Sequence, residues 1–273
     1  MQSAQQVMRP ALWVPPIDMD RFRREGFAVF EGLFSSAECA TLIREIDQFI
    51  GEGRRIAVEL PAHADLVTHP KLMAIADTIL GPRFGFHHLH TARHGAGTPT
   101  FAWHHDYEQI PQANRSHTMI HCFMYISGLN GTVGDLVAIP GSHLAVLDRY
   151  LFSMFQAADL PGTVVFNKVA PGSVIVVHSA LLHARRAKPG GEDHPRYFID
   201  AAYCQDGIQW PSYEERGNWH EILRHLRDRD RDKGGNFQWL FDEQHFFEAK
   251  DVAKRFHEVN RGSLALKTLG IGK

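Results

Sequence analysis

The apolar residues of 35–81 recur every three or four positions, which is the spacing of an amphipathic helix. One helix is predicted to follow Ser35, because Ser35 and Glu38 have the spacing of a capping box and Gly51 supplies a helix end. A second is predicted to begin at Pro70, since proline is favoured in the first helical turn. The apolar face of each helix is expected to pack against a core formed by the rest of the chain.

Beyond residue 84 the pattern changes to short segments rich in β-branched and aromatic residues, separated by Gly and Pro. Strands are predicted at 27–30, 84–92, 101–106, 118–126, 136–139, 164–166, 173–177 and 196–202. Many short strands divided by turn residues are typical of a sandwich or barrel. The helical pattern returns after Pro211, where basic and acidic residues alternate on a solvated helix face.

These patterns predict a fold that is mainly β with flanking helices. A single domain, residues 1–273, would contain a β core at about 84–205 and helical elements at 35–81 and 212–258. A chain of 273 residues can bury about three quarters of its unfolded surface, so it needs no disulfide or structural metal in order to fold.

The composition of the chain limits the kinds of molecule that the protein is expected to bind. The 29 Lys and Arg residues against 31 Asp and Glu residues lack the basic excess of a nucleic-acid-binding protein. No stretch approaches the length of about 18 uninterrupted apolar residues that a membrane helix needs, and the 3 cysteines form no disulfide framework. We therefore expect a cytoplasmic protein that binds neither nucleic acid nor membrane, of undetermined oligomeric state. The 18 histidines raise the expectation of a metal site.

The strongest candidate for chemistry is the run Trp-His-His-Asp-Tyr at 103–107. Side chains two apart on a strand share a face, so His104 and Asp106 are predicted to point together while His105 points away. A third ligand is sought after the buried strand 173–177, where His178 and His183 stand at the two ends of a turn. Two histidines and one carboxylate form the facial triad of non-haem Fe(II) oxygenases.

The order of these motifs resembles the phytanoyl-CoA dioxygenase family of Fe(II)- and 2-oxoglutarate-dependent oxygenases, over roughly residues 20–205. The resemblance rests on the His-x-Asp motif, on the Pro-Gly-Ser-His run that ends at His143, on the distal His183 and on Arg196. Residues 22–30 are similar to the opening strand of the family, and the family places its distal histidine ligand where His183 stands.

The resemblance implies a double-stranded β-helix, the jelly-roll or cupin-like fold, with a metal at its mouth. It implies that His104, Asp106 and His183 bind Fe(II), and that Arg196 pairs with the distal carboxylate of 2-oxoglutarate. Dioxygen is the other implied cosubstrate. The implied reaction hydroxylates a small-molecule substrate and releases succinate and carbon dioxide.

Two positions depart from the family pattern. His105 stands where relatives often have glutamine, and Arg185 stands where they have a small hydroxyl residue. Both positions lie near 2-oxoglutarate in relatives, so His105 and Arg185 are further candidates for the cosubstrate site. Arg185 and Arg186 also compete with Arg196 as the carboxylate clamp, and Arg196 is favoured because it begins a predicted strand while the other two lie in a predicted turn.

Other functions stay open at this point. A zinc-dependent hydrolase could use the same His and Asp ligands, or a histidine cluster formed by His87, His88, His90 and His94. Arg196 and the Pro-Gly-Ser-His run would then have no role. The third hypothesis is a non-catalytic cupin-like protein that binds a metal or a ligand. The sequence leaves open the substrate and the choice between hydroxylation, desaturation and ring chemistry.

Weaker hypotheses concern Asp200, the clustered histidines and His143. Asp200 is predicted to share a strand face with Arg196, where it could hold a cationic group of the substrate or form a salt bridge to an arginine. One or two of the clustered histidines are expected to point into the barrel and to shape the substrate pocket. His143 is read as a structural turn residue.

Overall fold

The helices and strands are known for most of the chain from a computed structural model, which describes Trp13 and residues 15–107, 109, 115–188, 193–213 and 218–248. The α-helices of these ranges are α1 (Met19–Glu25), α2 (Ser36–Gly51), α3 (Pro61–Val67), α4 (Pro70–Leu80) and α5 (Trp219–Asp232). The strands are β1 (Phe27–Phe30), β2 (Phe84–His94), β3 (Phe101–His104), β4 (Met119–Tyr125), β5 (Asp135–Ala138), β6 (Val164–Phe166), β7 (Ser173–His178), β8 (His183–Arg186), β9 (Arg196–Gln205), β10 (Trp210–Pro211) and β11 (Phe246–Phe247).

Two antiparallel sheets pack against each other. The larger has five strands in the order β1-β7-β4-β9-β2, and the smaller has four in the order β3-β8-β5-β6. Apart from β5 and β6, neighbouring strands in these two sheets are not consecutive in the chain, which is the connectivity of a jelly roll. The predicted fold class, mainly β with flanking helices in a double-stranded β-helix, is confirmed.

Strand β4 shows how alternation builds a core on each face of the larger sheet. Phe123 and Tyr125 point towards the smaller sheet and pack with Leu136 of β5. Ile120 and Met124 point the other way, into the core that the helices cover. Every residue of β4 is buried, because both faces of this central strand are covered.

The capped helix predicted after Ser35 is present as α2. The Ser35 amide donates to the Glu38 carboxylate at 2.7 Å, and the Glu38 amide donates to the Ser35 hydroxyl at 3.3 Å, so both halves of the capping box form. Leu42 and Ile46 of this helix are buried in the core beside the larger sheet. This helix forms because its local cap and its apolar face agree.

The N-terminal strand is shorter than the resemblance suggested for 22–30. Phe22 lies in helix α1, and only β1 is extended. The Asp18 side chain accepts from the Arg21 amide at 2.9 Å and caps the start of α1, while Gly26 ends the helix in the left-handed conformation at φ 85°. Phe22 is buried, so the turn of helix that carries it is fixed by packing.

A second correction concerns residues 185–186, which were predicted to lie in a turn. They belong to β8, which pairs with β3 on one edge and with β5 on the other. Arg185 lies opposite Leu136 in the register with β5. Backbone pairing on both edges makes this segment a strand, although its own side chains, His-Ala-Arg-Arg, carry no strand pattern.

The helical element predicted at 212–258 is confirmed only in part. Helix α5 and two short 3₁₀ helices lie within it, but Phe246–Phe247 form β11, which pairs in parallel with β10. Backbone pairing with β10 makes this segment extended, and the Phe246 ring packs 5.6 Å from that of Trp219. The predicted residues 249–258 lie outside the described residues.

The expectations for the cysteines and for membrane helices can be compared with the structure. Cys39, Cys122 and Cys204 are free and buried. Over the described part of the chain, none of the helices combines the length and the apolar character that crossing a bilayer requires. The assignment of residues 1–273 to one domain stays a prediction.

Two Pro-Gly turns allow a matched test of packing beside β7. Gly172 has φ +75°, and a Cβ there would lie 2.5 Å from the Phe34 carbonyl oxygen, whereas Gly162 has φ +81° and open space around it. We expect Gly162→Ala to cost about 1–2 kcal/mol of unfolding free energy, from left-handed strain alone. Gly172→Ala is expected to cost roughly 2–5 kcal/mol, because a steric clash adds to that strain. Denaturant unfolding of both variants checks this, and equal losses would contradict the packing described.

Candidate metal and cosubstrate site

Two of the candidate ligands face each other across a strand pair. His104 ends β3, His183 begins β8, and the two residues are direct partners in the antiparallel register. Directly opposed residues place their side chains on the same face of a sheet, and the two imidazole ring centres lie 4.3 Å apart. Both side chains are buried. His183 rather than His178 is therefore the histidine that meets the His-x-Asp motif.

Asp106 reaches the same point by a different route from the predicted one. Strand β3 ends at His104, so strand alternation does not aim Asp106. Its backbone amide instead donates to the Ser179 carbonyl at 2.7 Å, in the turn between β7 and β8. The three candidate residues thus come together because two chain segments, one after β3 and one before β8, are tied to each other.

The donor atoms of the three side chains converge. His104 Nε2 lies 3.4 Å from Asp106 Oδ1, and His183 Nε2 lies 3.2 Å from Asp106 Oδ2. These nitrogens and one carboxylate oxygen all lie within 4.8 Å of one another. Ligand atoms around one first-row metal ion are separated by roughly 3 Å, because metal–ligand bonds are about 2.0–2.2 Å long. The set fits a single divalent ion.

Hydrogen bonds fix which ring nitrogen of each histidine is available. His104 Nδ1 donates to the Ala102 carbonyl at 2.8 Å, and His183 Nδ1 donates to the Leu181 carbonyl at 3.0 Å. Each imidazole therefore turns its Nε2 lone pair towards Asp106. Donation of the second ring N–H to a backbone carbonyl is the usual support of a metal-ligating histidine.

Electrostatics favour the ligand forms of these groups. Burial, together with repulsion from His183, lowers the pKa of His104 to about 4, so this imidazole is neutral at physiological pH. Burial opposes ionisation of Asp106, but attraction to the His104 and His183 rings when these carry a proton outweighs it and holds the pKa of the Asp106 carboxyl well below its usual range. Arg149 Nη2 also lies 3.3 Å from Asp106 Oδ1. Arg149 was not found from the sequence, because it lies in a loop without periodicity.

Arg196 is a buried guanidinium with hydrogen-bonding capacity to spare. It is 3% exposed, and its Nε and Nη1 have no hydrogen-bond partner among the described residues. Its carbon Cζ lies 5.1 Å above the Tyr125 ring and 4.9 Å above the Phe198 ring. Among the described residues, the buried Tyr125 hydroxyl also has no hydrogen-bond partner. A bidentate donor held by aromatic faces fits a carboxylate, and such a ligand would satisfy these orphaned groups.

The competing arginines differ from Arg196. Arg186 forms ion pairs with Asp159 and with Asp135, so its charge is already committed. Arg185 donates to the Pro99 carbonyl and is half-buried. Burial and repulsion from Arg196 lower the pKa of Arg185 to about 10. Arg185 therefore lies close enough to Arg196 to feel its charge, and it stays a candidate for the rim of the cosubstrate site.

The structure does not bring His105 into this group. Its Nε2 donates to the Leu147 carbonyl at 3.1 Å, and its Nδ1 accepts from the Tyr107 amide at 3.2 Å. Both ring nitrogens are therefore engaged by backbone groups. This agrees with the expectation that His105 points away from His104, and a role of His105 at the cosubstrate site stays a prediction.

Two other histidines serve packing roles outside the site. His178 pairs with Ile120 and so lies on the helix-covered face of the larger sheet, where its Nδ1 accepts from the Ala180 amide at 3.1 Å. His143 Nε2 donates to the Arg23 carbonyl at 3.0 Å and lies in the 3₁₀ turn of the Pro-Gly-Ser-His run. The reading of His143 as a structural turn residue agrees with this contact.

The chain is similar to known proteins in both sequence and structure. Ectoine dioxygenase from Bordetella bronchiseptica is 28% identical over 145 residues, which are 45% of this chain and 47% of that protein. The chain thus spans about half the length of the curated relatives it matches.

Solved structures share the fold. The EctD structure from S. alaskensis with 2-oxoglutarate and 5-hydroxyectoine has a TM-score of 0.62 at 20% identity, over 76% of this chain and 84% of that one. HygX from Streptomyces hygroscopicus with iron bound has a TM-score of 0.57 at 18% identity, over 74% of this chain and 94% of that one. The first of these structures holds 2-oxoglutarate, and the second holds iron.

A family model described as phytanoyl-CoA dioxygenase (PhyH) matches residues 22–189, more than half of the chain. The family depends on Fe(II) and 2-oxoglutarate and uses dioxygen as a cosubstrate, so the cofactors predicted from the sequence are confirmed at the level of the family. The chain belongs to the phytanoyl-CoA dioxygenase family of Fe(II)- and 2-oxoglutarate-dependent oxygenases.

Proposed function

We propose that this protein is an Fe(II)- and 2-oxoglutarate-dependent dioxygenase that hydroxylates a small-molecule substrate and releases succinate and carbon dioxide. In this proposal His104, Asp106 and His183 are the metal ligands and Arg196 binds the cosubstrate. The observation that carries it is the pair of cross-strand histidines whose Nε2 atoms lie 3.4 and 3.2 Å from the two oxygens of one partly buried carboxylate.

Each residue has a task that follows from its contacts. The two imidazoles and the Asp106 carboxylate would hold the ion from one side, since backbone carbonyls already take the other ring N–H of each histidine. Fe(II) supplies, when bound, the redox chemistry that couples oxidation of 2-oxoglutarate by dioxygen to oxidation of the substrate. Arg196 would orient the distal carboxylate of 2-oxoglutarate, and the buried site keeps water away from the reacting groups.

The proposal of a small-molecule substrate is supported by the comparisons. The curated relatives are named ectoine dioxygenase, and a solved neighbour contains 5-hydroxyectoine. Other neighbours are described as an epimerase, SnoN, and a carbocyclase, SnoK. Hydroxylation is therefore the finer part of the proposal and needs its own measurement. A gain of one oxygen atom in the product, found by mass spectrometry, identifies it.

The metal and cosubstrate requirements test the proposed function without a known substrate. In air, the protein with Fe(II) and 2-oxoglutarate is expected to form succinate slowly even when no substrate is added. With Zn(II) in place of Fe(II) it is expected to form none, because zinc has no redox chemistry. Hydrolytic activity that needs Zn(II) and ignores 2-oxoglutarate would instead establish a zinc hydrolase. Bound metal with no turnover under either condition would favour a non-catalytic binding protein.

A further inference from the structure

A second group of metal-type side chains lies on the inner face of the larger sheet. His88 is on β2, Asp200 on the neighbouring β9, and His121 on β4 beyond it. One ligand atom from each residue lies within 4.8 Å of the others. All three residues are buried, with exposed fractions of 6%, 7% and 2% respectively. None of them belongs to the site proposed above.

A β-bulge aims His88 at this point. The register between β2 and β9 shifts between Phe86 and His88, so the extra residue, His87, brings two adjacent imidazoles into contact. The His87 and His88 ring centres lie 5.1 Å apart, and the His88 ring stacks on Tyr213 at 4.0 Å. His88 is therefore fixed from two sides.

A chain of hydrogen bonds then fixes the proton on His88. His87 Nε2 donates to the Pro211 carbonyl at 2.9 Å. This leaves the His87 Nδ1 lone pair as the acceptor for the His88 Nδ1–H, at 2.8 Å. His88 Nε2 is thus the nitrogen left to face Asp200 Oδ2, at 3.7 Å. The His87 imidazole thus takes the place of the carbonyl or carboxylate that usually accepts the second N–H of a metal-ligating histidine.

Asp200 contributes its two carboxylate oxygens to this group of side chains. Its Oδ2 accepts from His121 Nδ1 at 2.8 Å, but its buried Oδ1 has no hydrogen-bond partner within the described ranges. An imidazole lone pair and a carboxylate that face each other away from water are costly unless a donor or a cation lies between them. A metal cation that displaced the proton of His121 Nδ1 would lie between Asp200 Oδ2 and the two imidazoles, and it would satisfy the His88 lone pair as well.

The spacing distinguishes a metal ion from an organic ammonium group. Acceptors around an ammonium nitrogen at hydrogen-bond distance lie roughly 4.5 Å apart, since each contact is about 2.8 Å long. Ligand atoms around a tetrahedral ion with bonds of about 2.0–2.1 Å lie roughly 3.3 Å apart. Asp200 Oδ2 lies 2.8 Å from His121 Nδ1 and 3.7 Å from His88 Nε2. These two distances lie on either side of the spacing of roughly 3.3 Å expected around a metal ion.

We propose that His88, His121 and Asp200 bind a second divalent transition-metal ion, separate from the ion at His104, Asp106 and His183. The ligand class, two imidazoles and one carboxylate, selects a zinc-type ion over Mg²⁺ or Ca²⁺, which prefer oxygen ligands. With three protein ligands, the ion keeps a coordination position open to water or to a polar group of a ligand between the sheets.

Zinc stoichiometry of four proteins tests this proposal. Metal-stripped wild type, titrated calorimetrically with Zn(II), is expected to bind two equivalents. His88→Gln and Asp106→Ala are each expected to bind one, and the double variant none. Asp200→Asn should repeat the effect of His88→Gln, and His90→Gln, two positions along the same strand, should still bind two. Circular dichroism of each variant verifies that it is folded.

The outcomes separate this proposal from the proposed function. One equivalent in the wild type that survives both His88→Gln and Asp200→Asn would overturn the second site and leave the dioxygenase site intact. Zinc lost on His88→Gln but unaffected by Asp106→Ala would support the second site and contradict the triad. Two equivalents in wild type, His88→Gln and Asp200→Asn alike would place the second ion elsewhere and refute this assignment.

Discussion

Asp106→Ala is expected to reduce 2-oxoglutarate-dependent succinate formation by more than about 100-fold while the protein stays folded. Loss of a group that only supports a ligand costs about 10–100-fold in metal affinity or activity, so loss of a ligand should cost more. Asp106 lies two residues beyond the end of β3, and its side chain is 17% exposed, so its loss leaves no cavity in the apolar core. Succinate release in air checks the loss of turnover, and circular dichroism checks that the variant is folded. Anaerobic titration with Fe(II) shows whether the metal is lost.

A matched carboxylate outside the site serves as the control. Asp20→Ala removes an exposed partner of Arg23 on α1, and it is expected to leave succinate formation unchanged. Full turnover by Asp106→Ala, with iron still bound, would remove Asp106 from the metal site.

Arg196→Gln is expected to raise the 2-oxoglutarate concentration needed for half-maximal turnover by about 30-fold or more. Truncating one partner of a buried, hydrogen-bonded charge pair costs about 2–5 kcal/mol, and 2 kcal/mol corresponds to about 30-fold in affinity. Glutamine keeps polarity and much of the volume but loses the charge and the bidentate fork. The effect should fall on the 2-oxoglutarate requirement and not on Fe(II) affinity.

Arg185→Gln is the comparison that decides between the two arginines. Arg185 is half-buried and already donates to the Pro99 carbonyl, so its loss is expected to change the 2-oxoglutarate requirement only a few-fold. A large increase for Arg185→Gln with none for Arg196→Gln would transfer the clamp to Arg185. Saturation curves of succinate formation against 2-oxoglutarate give both values.

The sequence was sufficient for elements whose local signals agree with their packing. Helix α2 has both a capping box and an apolar face, and β4 is apolar throughout, so both were predicted to within a few residues. Strand β8 was missed because its residues become a strand only when β3 and β5 flank them. Helix α1 was missed because a single buried residue, Phe22, gives no periodic pattern.

The residues of the two proposed sites also differ in how far the sequence alone could identify them. His104 and His183 could be proposed from motif order, and the register of β3 with β8 brings them together. His121 could not be singled out, because it lies within an apolar strand whose neighbours all read as core. Its contact with Asp200, 79 residues away in sequence, exists only once β4 and β9 pair. Side chains that meet across non-local strand pairs leave no spacing signal in the sequence.

Anomalous diffraction at the iron absorption edge tests the central claim most directly. Crystals of the protein grown anaerobically with Fe(II) are expected to show an iron peak roughly 2.0–2.2 Å from His104 Nε2, His183 Nε2 and the Asp106 carboxylate. An iron peak bound by other side chains, with these three donors left apart, would contradict the account.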